Sequence, residues 1–173
     1  MIAEKEPISN KEQILTRLVE QYQLPLLKLC RMYLPDGASA EDAVQDTFMK
    51  AYKALSTFRG ECSEKTWLMR IALNTCRDMT RTGWLRHIDK RIVLEDMTDL
   101  TAPEESEISD LAAEISSLPR KLKDAVLLYY YQDMTVEEVA QALHTSPATV
   151  SRRLEAARIK LRDALEGGHV YEG

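Results

Sequence analysis

Apolar residues recur at helical spacing along nearly the whole chain, which predicts an all-α protein. At the start, Ser9 and Glu12 have the spacing of a capping box, and an apolar helix face follows them. Pro25 suits the first turn of a second helix, because the N–H that proline lacks has no partner there, and this helix is expected to end near Leu34. The residues of the first apolar face are Ile14, Leu15, Leu18, Val19 and Tyr22.

Two more helices complete the first block of the chain. Ser39 with Asp42 predicts the cap of one of them, and its apolar residues recur with a helical period. These residues are Ala43, Val44, Thr47, Phe48, Ala51, Tyr52 and Leu55. A loop, FRGECSEK, leads into a helix from about Thr66 to Arg81. The expected buried face of that helix consists of Leu68, Ile71, Ala72, Thr75 and Met79.

The composition changes between this block and the next. From Ile92 to Pro119 there is no Lys or Arg, whereas Asp and Glu are frequent, and such a composition is typical of a linker. We therefore expect two small helical domains joined by an acidic flexible linker. The expected boundaries are 9–86 for the first domain, 87–108 for the linker and 109–166 for the second domain.

The second block has the pattern of a helix–turn–helix. Its expected helices are Leu111–Leu118, Lys121–Gln132, Val136–Leu143 and Pro147–Leu165. Thr135 and Glu138 form a capping box ahead of the third helix. His144, Thr145 and Ser146 form a short turn, and the hydroxyl of Ser146 can cap the last helix. The apolar face of that helix consists of Val150, Leu154, Ala157, Leu161 and Leu165.

The last helix concentrates positive charge, in the stretch TVSRRLEAARIKLRDAL, although the net charge of the chain is −5. The residues opposite its apolar face are Ala148, Arg152, Glu155 and Ala156. In a major groove, Arg reads guanine and Glu accepts a hydrogen bond from cytosine. The residues suited to phosphates, on the flanks of the helix and before it, are Arg153, Arg158, Thr145 and Ser146. The alternative is a helical hairpin with a solvated basic face.

A second basic stripe runs along the helix from about Thr66 to Arg81. Its members are Arg70, Asn74, Arg77 and Arg81, at steps of four, three and four. Trp67 lies beside the stripe, and Phe58 and Arg59 open the preceding loop. Positive side chains in a row can follow the phosphates of a single nucleic-acid strand, and neighbouring aromatic or amide groups can stack on or hydrogen-bond to an unpaired base. Such a stripe therefore suits single-stranded nucleic acid. The alternative is that the aromatic residues are core and the arginines are only solvated.

The first block has another outward stripe, which is acidic to amphipathic. Its members are Asp42, Gln45, Asp46, Met49 and Lys53. DNA would repel such a surface, whereas a basic protein surface would attract it. The alternative is an ordinary solvated helix face.

The motifs of both blocks resemble those of a known family. AEDAVQDTFMKAYKALSTFRG followed by TWLMRIALNTCRDMTR resembles region 2 of bacterial sigma-70 family factors, in their small extracytoplasmic-function (ECF) group. LPRKLKDAVLLYYYQDMTVEEVAQALHTSPATVSRRLEAARIKL resembles region 4 of that group. The similarity covers roughly Ile14–Arg81 and Leu111–Leu165.

The resemblance implies roles for individual residues. The surface that docks on the β′ clamp helices of core RNA polymerase corresponds to the stripe with Asp42, Gln45, Asp46, Met49 and Lys53. The loop from Phe58 to Lys65, with Asn74, corresponds to the part that captures a flipped base of the −10 element. The remaining −10 residues are Arg59, Trp67, Arg70, Arg77 and Arg81. The −35 residues are Thr145, Ser146, Ala148, Thr149, Ser151, Arg152, Arg153 and Arg158.

Some positions depart from the family pattern. The family often has Gly, Lys and Arg where this chain has Ala148, Ser151 and Ala156, and Tyr is frequent where Val136 stands. These departures affect which promoter sequence is read, and they leave the DNA-binding role intact.

The resemblance implies a sigma factor that binds core RNA polymerase through the β′ clamp helices and the β flap, recognises promoter DNA and is held by an anti-sigma factor. It implies no cofactor, enzymatic activity or membrane insertion, and the polar start of the chain favours a cytoplasmic location. The spacing of Cys30, Cys62 and Cys76 predicts free thiols. Two other classes remain open: a helix–turn–helix regulator that binds an operator as a dimer without polymerase, and a helical adaptor or small enzyme.

Linker length agrees with the family function. A separation of roughly 17 base pairs between the −10 and −35 elements, a family-level value, spans roughly 55–60 Å. The residues from Ile92 to Ile108, when extended, reach roughly 55–60 Å as well. Two tethered domains can therefore straddle that gap.

Overall fold

The computed structural model describes residues 9–82, the N-terminal half, and residues 106–168, the C-terminal half. The helices of the N-terminal half are α1 (Asn10–Arg31), α2 (Gly37–Ala54), which continues into a 3-10 turn (Leu55–Thr57), and α3 (Glu64–Arg81). The helices of the C-terminal half are α4 (Ser106–Ser117), α5 (Arg120–Val126), α6 (Val136–Leu143) and α7 (Pro147–Gly168), with a π-helical turn (Leu127–Tyr131) after α5. All the described regular elements are helical, which confirms the all-α prediction.

The capping box at Ser9 and Glu12 is present, but the predicted break at Pro25 is wrong. Helix α1 runs through Pro25 without ending. Proline in a helix interior costs about 3 kcal/mol. Here Leu18 precedes it and Leu26 follows it, both fully buried, so core packing on either side of the proline offsets that cost.

The predicted cap of α2 at Ser39 is also wrong, because the helix begins at Gly37 and is capped by Asp36. The Asp36 carboxylate accepts hydrogen bonds from the backbone N–H of Ser39 at 2.7 Å and from its hydroxyl at 2.8 Å. A carboxylate is a stronger acceptor than a hydroxyl, and its charge suits the positive end of the helix dipole. Asp36 therefore sets the start of the helix.

The predicted single helix Lys121–Gln132 is divided in the structure. After α5 the backbone widens into the π-helical turn, and the N–H of Gln132 bonds to the carbonyl of Leu127 at 3.1 Å. This turn leaves Tyr130 and Tyr131 half exposed while it buries the side chain of Gln132. The predicted linker 87–108 lies outside the described residues as far as position 105, and its last three residues belong to α4.

The buried residues of both halves form one apolar cluster. In the N-terminal half α2 packs on α1 and α3, and in the C-terminal half α7 packs on α4, α5 and α6. Helix α3 also packs on α6, so the two halves are in direct contact. On α7, Val150, Leu154 and Ala157 are buried as predicted, whereas Leu165 is 38% exposed because the helix extends beyond the core there.

The three cysteines, which all lie in the described ranges, are free thiols as predicted. Cys30 and Cys76 are buried, and Cys62 is partly exposed. Within residues 9–82 and 106–168, no helix has the length and apolar character needed to cross a bilayer.

Candidate nucleic-acid and protein interfaces

Helices α6 and α7 form the expected helix–turn–helix. Thr135 caps α6, and Glu138 completes the capping box by accepting the backbone N–H of Thr135 at 2.8 Å. Helix α6 ends at His144, whose φ of 52° is left-handed, and the chain turns at once into α7. The hydroxyl of Ser146 accepts the backbone N–H of Thr149 at 3.2 Å, which caps the second helix. Ala140 is buried at this crossing, where its small side chain lets the two helices approach closely.

The start of α7 presents the predicted base-reading face to solvent. Its exposed residues are Ala148, Ser151, Arg152 and Glu155. The Arg152 guanidinium donates to the Thr149 hydroxyl at 3.2 Å, within the same exposed face. Arg153 is partly buried on one flank, and Thr145 is partly buried at the turn. These residues therefore form one surface.

The structure separates Arg158 from this surface. Its Nε donates to the Tyr130 hydroxyl at 2.8 Å, and this hydrogen bond raises the pKa of the guanidinium. The two side chains stand at the edge of an apolar groove of about 470 Å³. The groove is lined by Leu111, Ile115, Val126, Tyr130, Tyr131, Arg158, Leu161 and Arg162. Sequence reasoning missed this groove, although the run LLYYY carries three tyrosines in succession.

The stripe on α3 faces the C-terminal half. The Arg70 guanidinium donates to the backbone carbonyl of Gln141, in α6, at 2.7 Å. Asn74 is exposed, Arg77 is partly buried, and the Arg81 side chain is 74% exposed. Three of the four predicted residues, Arg70, Asn74 and Arg77, therefore lie at the junction of the halves.

Phe58 and Trp67 stack on each other, with ring centroids 4.6 Å apart and planes inclined by 20°. Trp67 is 9% exposed, so its indole is largely core and supports the ring of Phe58. Phe58 itself is partly exposed, and Arg59 is fully exposed in the loop that follows. A DNA contact by Trp67 stays a prediction, because most of its ring is covered in this conformation.

Two cavities lie between the halves, and both are lined by predicted DNA-binding residues. The smaller, of about 210 Å³, lies between the α3 stripe (Arg70, Asn74 and Arg77) and Arg153 of α7. The larger, of about 440 Å³, lies between the loop at Phe58 and the turn at Thr145. The predicted −10 and −35 surfaces therefore meet at their edges.

The acidic stripe on α2 is on the outer surface of the N-terminal half. All five of its residues are exposed: Asp42, Gln45, Asp46, Met49 and Lys53. Asp46 pairs with Lys50 at 3.1 Å, an exposed i,i+4 pair of small energetic value. Met49 is 54% exposed, which places an apolar side chain in the middle of a polar surface. The stripe is accessible in this conformation and has the mixed character of a protein-binding surface.

The halves are joined by buried polar contacts that sequence reasoning missed. The Tyr33 hydroxyl, after α1, donates to the carboxylate of Asp124 in α5. The ammonium of Lys123 lies 4.4 Å from the centroid of the Tyr33 ring. Burial raises the pKa of the Asp124 carboxyl, against the opposite effects of the Tyr33 hydroxyl and of Arg120, Arg77 and Lys123. Burial also lowers the pKa of Lys123 and raises that of Tyr33.

A second group of contacts is centred on Gln132, which is 4% exposed. Its side-chain amide donates to the backbone carbonyl of Pro25 at 3.1 Å. Its own backbone carbonyl accepts from the ammonium of Lys65, at the start of α3. One residue of the C-terminal half thus contacts both α1 and α3. No local sequence signal marks such pairs, because their members are far apart in the chain.

The chain matches two protein-family models. The model described as Sigma-70 region 2 matches residues 18–86, and the one described as Sigma-70, region 4 matches residues 108–161. Together they cover both halves.

Curated relatives belong to the same family. The RNA polymerase sigma-H factor of Pseudomonas aeruginosa is 31% identical over 163 residues, which cover 86% of this chain and 84% of that protein. The ECF RNA polymerase sigma-E factor of Escherichia coli K12 is 30% identical over 155 residues, with coverage of 82% and 81%.

Solved structures have the same fold. The structure of CnrH in complex with the cytosolic domain of CnrY aligns with a TM-score of 0.70 at 25% identity and covers 92% of each chain. The sigma factor RpoE of Bartonella quintana, in complex with the anti-sigma factor NepR, aligns with a TM-score of 0.63 at 22% identity, over 85% of this chain and 96% of that one. The second likeness concerns the fold alone.

Proposed function

This chain belongs to the sigma-70 family of RNA polymerase sigma factors, in the extracytoplasmic-function group, and from that premise we propose how its two halves act in transcription initiation. As a sigma factor it binds core RNA polymerase and promoter DNA. The proposed division assigns polymerase docking and the −10 element to residues 9–86 and the −35 element to residues 109–166. Residues 87–108 connect the two. Every step is a binding step, so the chain needs no catalytic site of its own.

Polymerase docking is assigned to the α2 stripe. Five exposed side chains form one outer face there, and its acidic residues complement a basic surface. We place the partner surface on the β′ clamp helices. The second polymerase contact, with the β flap, is assigned to the apolar groove between α4 and α7. On α7 this groove is lined by Arg158, Leu161 and Arg162, farther along the helix than the exposed face at Ala148 and Arg152, so polymerase and DNA can occupy the C-terminal half together.

Promoter recognition is assigned to α7 and to the α3 stripe. The observation that carries this proposal is the solvent-exposed face at the start of α7, in a helix–turn–helix whose caps and turn are complete. The loop at Phe58 and the amide of Asn74 are assigned to the −10 element, where an unpaired base needs a stacking surface and a hydrogen-bonding group. We also propose that an anti-sigma factor regulates the chain, by analogy with the complexes of its structural relatives.

Reconstitution tests the proposed function directly. The purified chain is added to core RNA polymerase on promoter fragments, and run-off transcripts are measured. We expect transcripts with defined start sites that appear only when both components are present. Start-site-specific transcription by core polymerase alone, or none with the chain added, would contradict the proposal. An operator-binding regulator would instead bind duplex DNA tightly as a dimer without polymerase.

Two substitutions on α7 are expected to distinguish base contacts from phosphate contacts at the −35 element. Replacing Arg152 with Ala should relax the preference at one or two base pairs by about 1–3 kcal/mol, the value of one bidentate contact. Replacing Arg153 with Ala, on the flank of the same face, should weaken all promoters by similar factors, because a phosphate contact carries no base preference. The measurement is the affinity of the reconstituted holoenzyme for a set of −35 variants. If both substitutions shift the preference in the same way, the proposed division of roles is wrong.

A further inference from the structure

We propose that the smaller cavity between the halves, of about 210 Å³, binds the diphosphate group of a small anion. The group can come from inorganic diphosphate or from a nucleoside diphosphate. This inference goes beyond the proposed function, whose ligands are polymerase and promoter DNA. Among the described residues, five cationic side chains from three helices line the cavity: Arg70 and Arg77 of α3, Arg120 and Lys121 of α5, and Arg153 of α7.

The positive charge of this cavity is not balanced by its own lining. Of the described residues that line it, only Asp124 carries a carboxylate. One oxygen of that carboxylate accepts the Tyr33 hydroxyl, and the other lies 4.0 Å from Nε of Arg120, so both oxygens are already engaged. Like charges repel when they converge away from bulk water, and an anion with several charged oxygens offsets that repulsion. The charges therefore favour a multiply charged anion.

Two of the guanidinium groups are incompletely paired. The Nε atoms of Arg70 and Arg77 are covered from solvent and have no hydrogen-bond partner within the described residues. Arg70 also donates from a terminal nitrogen to the carbonyl of Gln141 at 2.7 Å, which is a neutral acceptor. A guanidinium that has lost hydration without a full set of acceptors is stabilised by a nearby anion. Phosphate oxygens match the planar fork of a guanidinium, so these side chains favour a phosphate group.

The volume of the cavity limits the size of the group that it can hold. Sites for drug-sized molecules have volumes of about 300–1,000 Å³. The smaller cavity, at about 210 Å³, is below that range, so it suits a small anion and excludes a whole nucleotide. Diphosphate has negative oxygens at both ends and can contact cations of α3 on one side and of α5 or α7 on the other. A single sulfate or phosphate has one anionic centre and uses fewer of these cations.

The larger cavity, of about 440 Å³, adjoins the smaller one, because Arg70 and His144 line both. Its lining includes Phe58, whose partly exposed ring is supported by Trp67 at a centroid distance of 4.6 Å. Exposed aromatic rings of this kind stack on nucleobases. A nucleoside diphosphate can therefore place its phosphates among the cations of the smaller cavity and its base on Phe58.

A bound diphosphate engages residues that the proposed function assigns to promoter DNA. Arg70 and Arg77 are assigned to the −10 element and Arg153 to the −35 element, whereas Arg120 and Lys121 have no assigned DNA contact. The two promoter elements lie roughly 55–60 Å apart, so one DNA phosphate cannot contact all these residues together. The small anion and the promoter therefore compete for the shared arginines. This consequence alone rests on the proposed function.

Isothermal titration calorimetry of the full chain with sodium diphosphate tests the site. We expect one diphosphate to bind per chain, about tenfold or more tightly than sulfate, because it contacts more of the cations. The midpoint of thermal unfolding should rise with diphosphate concentration, since the ligand binds the folded chain. No saturable binding, or equal affinity for sulfate and diphosphate, would overturn the proposal. Polymerase and DNA are both left out, so this outcome is independent of the assignments made for them.

Adenosine diphosphate distinguishes the two sources of the diphosphate group. We expect it to bind about tenfold more tightly than inorganic diphosphate, because stacking on Phe58 adds to the phosphate contacts. Phe58→Ala should remove this difference and leave the affinity for inorganic diphosphate unchanged. Equal affinities of the two ligands for the unsubstituted chain would support the site and identify the inorganic ion as its ligand.

Lys121→Glu tests the position of the site. Lys121 is exposed on α5, and replacing attraction by repulsion there should weaken diphosphate binding by about tenfold or more, with helical content unchanged. Lys160→Glu is the matched control, because it makes the same charge reversal at an exposed position of α7 that lines neither cavity. Its affinity for diphosphate should stay within about threefold of that of the unsubstituted chain. Arg77→Gln should weaken binding by about ten- to a hundredfold, the value of hydrogen bonds to a charged group. Equal weakening by Lys121→Glu and Lys160→Glu would show that net charge alone attracts the anion, and the site would be wrong.

Discussion

Asp46→Lys is expected to weaken binding to core RNA polymerase by about tenfold to a hundredfold, because a like charge brought against a basic partner surface costs roughly 1–3 kcal/mol. Asp46 is exposed on α2, and its local partner is Lys50 at 3.1 Å. Loss of this exposed pair affects folding by about 0.5 kcal/mol or less. Helical content, measured by circular dichroism, should therefore be unchanged while the dissociation constant rises.

Glu41→Lys is the matched control for this prediction. It makes the same charge reversal on the same helix, at an exposed position about 100° around the helix axis from Asp42. Its affinity for core polymerase should stay within about threefold of that of the unsubstituted chain, since its side chain points away from the stripe and makes no contact with the docked partner. Equal weakening by both substitutions would show that net charge matters and that the stripe has no specific role. Unaltered binding of Asp46→Lys would remove the docking assignment.

Local structure was predictable from the sequence where it depends on neighbouring residues. The helix–turn–helix is the clearest case, because the capping box at Thr135 and the cap at Ser146 involve residues three positions apart. The buried stripe of Val150, Leu154 and Ala157 follows from the helical period alone. Apolar periodicity and capping chemistry thus identified the C-terminal candidate site.

The helix boundaries were predicted wrongly where two local sequence signals compete, or where tertiary packing overrides a local signal. Ser39 and Asp36 are both capable caps, and the charged group prevailed. Pro25 normally favours a helix start, but Leu26 and Leu29 are buried just after it, and a break would have removed them from the core. The π-helical turn is a further case, since Gln132, which follows it, bonds to the carbonyl of Pro25 in α1, and no local signal marks that contact.

The relation between the halves could not be predicted from the sequence, because it depends on single pairs of distant residues. Tyr33 and Asp124, or Arg70 and Gln141, have no common local pattern. Because the two halves are in contact, the Arg70 guanidinium donates to the backbone carbonyl of Gln141. The sequence had predicted instead that the whole α3 stripe would be free to bind DNA. The sequence thus predicted which residues form the α3 stripe and could not predict what covers it.

Charge is distributed so that an acidic chain can still act on DNA. The net charge is −5, and non-specific DNA affinity comes from phosphate neutralisation, so the free chain should bind DNA weakly. The basic residues are instead concentrated on α3 and α7, where they act once polymerase has brought the chain to DNA.

Asn74→Ala is expected to reduce transcription from a fully duplex promoter by about tenfold to a hundredfold. Asn74 is the uncharged member of the α3 stripe, is exposed, and lines the smaller cavity beside Arg70 and Arg77. An amide has both a donor and an acceptor, so it can bond the Watson–Crick edge of an extruded base. Extruding that base from the duplex costs a few kcal/mol of stacking and pairing. Without the Asn74 amide, the hydrogen bonds that offset this cost are lost. The measurement is run-off transcription with reconstituted holoenzyme, with Thr80→Ala, an exposed substitution off the stripe on the same helix, as the control.

Comparing two promoter templates, one fully duplex and one unpaired across the −10 region, distinguishes loss of base capture by Asn74 from a general defect of the Asn74→Ala variant. On a promoter already unpaired across the −10 region, part of the lost activity should return, because strand separation no longer has to be driven. A residual defect should remain, since the unpaired base still lacks its hydrogen-bonding partner. Binding of the variant to core polymerase should be nearly unchanged, because Asn74 lies on α3, away from the α2 stripe. Equal transcription by the variant and the unsubstituted chain on duplex DNA would instead identify this part of α3 as a solvated helix face, whose arginines serve only the contact between the halves.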